Sequence, residues 1–81
     1  MKKVVLTGAA AKQMRKLDPV VAERIRAKLD AYAGGESADV TAYKSLENGF
    51  RLRVGTWRAV FVETDAEIIV RLVGHRRDVY D

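Results

Sequence analysis

Residues 50 to 73 read FRLRVGTWRAVFVETDAEIIVRLV, three runs rich in Val, Ile, Phe and Trp parted by two short turn signals. Phe50 to Val54, Trp57 to Glu63 and Glu67 to Val73 have the length and the β-branched or aromatic content of strands. Gly55-Thr56 and Thr64-Asp65-Ala66 are short enough to make hairpins between them. The run therefore predicts three consecutive strands of an antiparallel meander. In its first strand side chains alternate faces, so Phe50, Leu52 and Val54 point one way and Arg51 and Arg53 the other. One face of such a sheet is apolar and needs a cover.

The cover lies upstream. Lys3 to Leu6 is a short apolar run closed by Thr7-Gly8, a first strand. From Ala9 to Leu17, Ala10, Met14 and Leu17 recur at helical spacing while Lys12, Arg15 and Lys16 fall elsewhere on the wheel, which predicts a short amphipathic helix with a basic outer surface. Asp18-Pro19 starts a second helix, because the Asp side chain accepts from a free amide and proline needs no donor at the first helical position. Val21, Ile25, Leu29 and Tyr32 form its apolar stripe, and Gly34-Gly35 end it through a left-handed cap. Residues 34 to 49 are the least legible stretch, with some extended character over Val40 to Tyr43 and a turn-like Glu47-Asn48-Gly49. The order of strand, helical hairpin and three-stranded meander predicts an α+β fold, one sheet with the helices on one face.

At 81 residues the chain reads as a single domain, 1–81, and about 60% of the surface of a chain this small is buried on folding. Hydrophobic residues make up 48% and charged ones 32%, a globular rather than a disordered balance. No apolar stretch approaches the roughly 20 residues of a membrane span, so a soluble, cytoplasmic protein is expected. Cysteine is absent, which excludes disulfides, thiolate metal sites and a cysteine nucleophile. With His75 as its one histidine, a zinc site would need a carboxylate-rich shell, and no metal or other cofactor is expected. The net charge of +4 favours encounter with a polyanion.

Arginine dominates the residues suited to chemistry. Arg58 opens the second meander strand, and Arg76 and Arg77 follow the third after Gly74. A sheet folded as predicted can gather Arg51, Arg53, Arg58 and Arg76 on or beside one surface, a concentrated positive field suited to phosphate, the competing reading being an ordinary solvated outer face. Arginine stays protonated at any working pH, so its work is electrostatic, the kind phosphoryl transfer needs as charge grows on its oxygens. Proton transfer needs other groups. His75 and Tyr80 lie close to the arginines in sequence and combine donor with acceptor capacity. A turn histidine and a terminal packing tyrosine are the competing structural readings. Trp57 and Phe61 read as core. The carboxylates Glu23, Asp30, Glu63, Asp65 and Glu67 show no metal or glycosidase pairing and read as surface and turn charges. No phosphate-binding glycine loop is present.

The stretch Gly49-Phe50-Arg51-Leu52-Arg53-Val54-Gly55-Thr56-Trp57-Arg58, with the ending Val73-Gly74-His75-Arg76-Arg77-Asp78-Val79-Tyr80, resembles the RelE/ParE toxin superfamily of bacterial and archaeal toxin–antitoxin systems. The resemblance spans nearly the whole chain, including the basic first helix ending in Arg15-Lys16-Leu17. It implies a ribosome-dependent endoribonuclease that cleaves messenger RNA without metal, by attack of the ribose 2′-hydroxyl on the adjacent phosphate. Arg51 and Arg53 then match the paired basic residues of the first hairpin strand, Arg58 and Arg76 the phosphate-stabilising arginines, and Tyr80 the tyrosine that orients or activates the nucleophile. Arg77 and Lys44 join Arg51 and Arg53 as expected substrate contacts. The best-known pattern has lysines where this chain has Arg51 and Arg53. Arginine keeps its charge, which leaves Tyr80 or His75 as candidate base. The implied partners are a cognate antitoxin, the ribosome and messenger RNA. ParE-type members, which poison DNA gyrase, are the alternative, and a plain antitoxin-binding module is a third. The short first helix and the Gly-His-Arg-Arg-Asp-Val-Tyr ending favour the RelE type.

Overall fold

A computed structural model of the chain describes residues 1–79. Its elements run β1 (Lys3–Leu6), α1 (Gly8–Lys16), α2 (Pro19–Ala33), β2 (Val40–Ala42), β3 (Gly49–Val54), β4 (Trp57–Glu63) and β5 (Glu67–His75), followed by a 3₁₀ turn over Arg76–Asp78. This is the predicted α+β architecture. The strand order is β1-β5-β4-β3-β2, with β1 parallel to β5 and every other neighbouring pair antiparallel. The extended character over Val40 to Tyr43 proves to be an edge strand, with Val40 opposite Leu52 and Ala42 opposite Phe50. No helix is long and apolar enough to cross a membrane.

The helix boundaries follow from their caps. The Thr7 side chain accepts from the Ala10 amide and that of Asp18 from the Val20 amide, with Pro19 starting α2. At the other end of α2 the Gly35 amide donates to Tyr32 O and the Glu36 amide to Ala31 O, with Gly35 at φ 99°. That is a Schellman closure, and only glycine adopts its left-handed residue without strain. Gly55, at φ 60°, opens the two-residue turn between β3 and β4 for the same reason. Gly49 answers a different demand, since a Cβ there would lie 2.6 Å from the Leu46 Cβ.

Both helices cover one face of the sheet. Ala10, Ile25, Leu29 and Ala33 pack there on Leu52, Val54, Ala59, Phe61, Ile68, Val70 and Val73. Phe61 sits at the centre with no exposed surface, its ring 5.5 Å from Tyr32 and 5.8 Å from Phe50. Val73 belongs to this core although it is an odd number of residues from Ile68 and Val70. Phe61 pairs with Val70 and Val60 with Leu72, so Arg71 is an extra residue in β5. This bulge reverses the alternation beyond it. Past Leu6 there is no β1 to pair with β5, and the Gln13 side chain of α1 takes over, accepting from the Val73 amide at 2.7 Å.

Glu63 departs from the surface role expected of it. It accepts from Lys2 Nζ and, at 2.7 Å, from the Tyr32 hydroxyl, tying the start of the chain, α2 and the end of β4 together. Burial alone would raise the Glu63 carboxyl, but the bonds from Lys2 and Tyr32 outweigh it and hold the group below its ordinary value. Burial, then the bond to and charge of Glu63, push the Tyr32 phenol up to about 12 from its ordinary 10.0. The sequence could not show this network because its three members are distant along the chain.

Two outcomes are expected. Gln13→Ala leaves the Val73 amide without its partner and destabilises the fold by about 1–3 kcal/mol. Amide exchange at Val73 accelerates, and unchanged exchange there would show that the bond contributes nothing. Because the folded chain holds the Tyr32 proton more tightly than the unfolded chain, the phenol's contribution is complete below its unfolded value and is lost as pH rises to about 12. In urea titrations the stability of the wild type relative to Tyr32→Phe therefore falls across that window. A constant difference would disprove the coupling.

Candidate nucleic-acid interface

The face of the sheet turned away from the helices carries the arginines. On β3, Leu52 and Val54 are buried in the core while Arg51 and Arg53 emerge on the other side. Arg53 lies directly opposite Arg58 of β4, and Arg51 stands between Thr41 of β2 and Val60 of β4. Together with Asp39, the residues Thr41, Arg51, Arg53 and Arg58 line a hollow of about 200 Å³. Like charges facing each other across a strand pair are unfavourable by themselves. The sheet tolerates this one by tethering the Arg58 guanidinium and by placing a carboxylate near that of Arg53. Arg58 donates through Nη1 to Gly55 O and Trp57 O, both at 2.9 Å, and Arg53 lies 3.8 Å from Asp39. Asp39 also accepts the Arg53 amide through its backbone oxygen.

The arginines still outnumber the carboxylates around them. Burial and the charges of Arg53, Arg51 and Arg76, in that order, lower Arg58 from its ordinary value, and Asp39 offsets only part of this. A bound anion would relieve the repulsion, and a phosphate offers the planar, multidentate match that guanidinium groups favour. The hollow also stands beside half-buried apolar side chains, Val62, Ile69 and Leu72, on the same open face. Among the described residues no group of three or more His, Asp or Glu side chains stands where it could hold a metal ion.

The structure brings together Arg51, Arg53 and Arg58, with Arg76 close enough to act on Arg58. Arg76 is held by its amide, which donates to Thr56 O at 2.7 Å across the β3–β4 turn. Arg77 is exposed on the same 3₁₀ turn. His75 is not brought to the cluster. The bulge at Arg71 turns its ring to the helix-bearing side, where it meets Trp57 edge-on at 5.4 Å. Lys44 is not brought there either. It lies in the turn before Asn48, whose oxygen accepts from the Glu63 amide at the opposite end of β4 from Arg58. Five residue steps along the strand separate those ends, roughly 17 Å. Tyr80 lies outside the described residues. Asp39 and Thr41 were missed in the sequence because β2 is three residues long and its pairing with β3 leaves no periodic signal.

Three solved structures share this arrangement of elements. A chain of the RelB–RelE antitoxin–toxin complex from Methanococcus jannaschii is 22% identical, with a TM-score of 0.76 over 95% of this chain and 95% of that one. The chain has a RelE-like fold. A chain of the toxin–antitoxin complex RelBE2 from Mycobacterium tuberculosis is 23% identical, with a TM-score of 0.66 over 93% of this chain and 98% of that one. A chain of the E. coli DinJ–YafQ complex is 12% identical, with a TM-score of 0.68 over 100% of both. No protein-family model matches the chain, nor does any curated protein. In the RelE-type fold seen here the arginine face is the open side of the sheet.

Arg58→Ala tests the electrostatic reading of that face. Its side chain lies outside the core, so the variant is expected to keep the wild-type melting temperature within a few degrees. Binding to a short single-stranded RNA weakens, and the slope of log affinity against log salt falls by about one. An unchanged slope would mean that Arg58 meets no phosphate.

Proposed function

We propose that this chain is the toxin of a toxin–antitoxin pair and that it cleaves messenger RNA on the ribosome without a metal ion. The observation that carries the reading is the facing pair Arg53 and Arg58 beside Arg51 around one hollow, charge assembled against its own repulsion. In the reaction the ribose 2′-oxygen loses its proton and bonds to the adjacent phosphorus. The bond from phosphorus to the 5′-oxygen breaks, and that oxygen takes up a proton, leaving a 2′,3′-cyclic phosphate and a 5′-hydroxyl. Arg58 and Arg76 stabilise the charge that gathers on the phosphate oxygens, and Arg51 and Arg53 hold the RNA backbone. Arg77 and Lys44 serve as outer contacts to the RNA and the ribosome. Arginine cannot take the proton, and with His75 directed to Trp57 we assign Tyr80 to orient or activate the 2′-hydroxyl. The reaction runs in the cytoplasm, where the ribosomes are.

The partner that silences such a face is a cognate antitoxin presenting acidic residues to the arginines and apolar ones to Val62, Ile69 and Leu72. The fold is shared with chains solved in toxin–antitoxin complexes, which supports that assignment.

Primer extension on a translated messenger RNA, with and without intact ribosomes and beside a gyrase supercoiling assay, tests the proposal. Codon-positioned cuts that require ribosomes are expected. Arg58→Ala or Arg76→Ala reduces them by about two orders of magnitude, as loss of a preorganised charge stabiliser does. Tyr80→Phe slows cleavage while ribosome affinity stays unchanged. Gyrase inhibition without cuts would assign the chain to the ParE type instead, and neither effect would leave an antitoxin-binding module.

A further inference from the structure

Arg76, Arg77 and Asp78 are all exposed, yet Val79 retains only 5% of its surface. Val79 does not belong to the core beneath the helices. It lies against Gly74. A Cβ built there would stand 3.3 Å from Val79 Cγ2 and 3.9 Å from the Asp78 Cβ, with no other atom outside the adjoining residues within 4 Å. Gly74 pairs with Arg58, and Arg58 with Arg53, so the side chain that Gly74 lacks would emerge on the arginine face. The 3₁₀ turn therefore brings the chain back over the sheet and seats Val79 in the space left by the glycine. Val60, on the same face and paired with Leu72 beside Gly74, is buried to 1%. The turn is tied at its base by the Arg76 amide on Thr56 O. The contact from the Arg77 amide to His75 Nδ1, at 3.5 Å, is too long to hold it unaided.

We propose that Gly74 and Val79 form a latch that fixes where the C-terminal tail meets the arginine face, and that both are positioning residues for cleavage. The proposal rests on the reading of this face as a ribonuclease site. Neither side chain offers a group that could take part in proton transfer or bind phosphate. Their effect is geometric. Without the latch, residues 77 to 79 beyond the Thr56 contact are free to leave the sheet, and a misplacement of about 1 Å among the groups around the phosphate costs on the order of 10²-fold in rate. Ordinary strand alternation would have put Gly74 on the core side. The Arg71 bulge places a residue without a side chain where the tail must cross.

Gly74→Val, made in the full chain, tests the latch, because the added side chain meets the tail and nothing else nearby. Val79→Ala removes the latch from the other side should the first variant fold poorly, and Val79→Ile is the conservative control. Amide exchange over residues 76 to 79 is measured together with single-turnover cleavage at saturating ribosomes. Gly74→Val and Val79→Ala are expected to lose tail protection and to cleave about 10- to 100-fold more slowly, with ribosome affinity and melting temperature unchanged. Val79→Ile behaves as wild type. Unchanged protection in both variants, or a freed tail with an unchanged rate, overturns the proposal. If the wild type cuts no RNA, the ribonuclease reading fails and the positioning role with it, whereas exchange still reports whether the contact holds the tail.

Discussion

Arg71 has no partner on β4, and the direction of every side chain after it in β5 follows from that. Strand alternation has a period of two, so one inserted residue exchanges the faces of all that follow. Val73 turns into the core, Gly74 onto the arginine face and His75 toward Trp57. Were the same sequence to alternate regularly through Arg71, the bare position at residue 74 would be wasted inside the core and the histidine would stand among the arginines. Bulges are frequent beside functional sites because they re-aim single side chains while leaving the hydrogen-bonded frame in place. Here the frame on either side of Arg71 is otherwise continuous.

The two ends of the sheet treat charge in opposite ways. At one end Glu63 is satisfied by Lys2 and Tyr32, and the charges cancel within the fold. At the other, Arg53 faces Arg58 with Arg51 beside them, and among the described residues Asp39 alone opposes the excess at Arg58. Stability is served by the first arrangement and not by the second. Local rules of folding tend to be broken where a surface is kept for a ligand, and the arginine end breaks one while the rest of the sheet obeys them.

Most of the fold was legible because it is written in short-range patterns. The Thr7 and Asp18 caps, the Gly34-Gly35 ending, the stripe of Ile25 and Leu29, and the outward direction of Arg51 and Arg53 are all local signals, and each appears where expected. The gathering of Arg58 with Arg51 and Arg53 followed from hairpin register. What was not legible depends on contacts between distant residues or on one-residue irregularities. Nothing in the run Glu67 to Val73 marks the bulge, so the closeness of His75 to the arginines along the chain held no sign that its ring faces the other way. The ligature of Lys2 and Tyr32 to Glu63, and that of Gln13 to Val73, join residues that nothing in the sequence relates.

The parallel pairing of β1 with β5 joins the two ends of the chain, Lys3 beside Glu67 and Leu6 beside Val70. Among the described residues β1 pairs with β5 alone, so it cannot be placed in the sheet until β5 has been made. Helices can form early from local contacts, but closure of the sheet carries the entropy of a loop nearly as long as the protein. A nascent chain of this topology cannot complete its positive surface while β5 is still being made. A protein whose proposed target is the translating ribosome thus lacks its assembled sheet until β5 has left the ribosome that makes it.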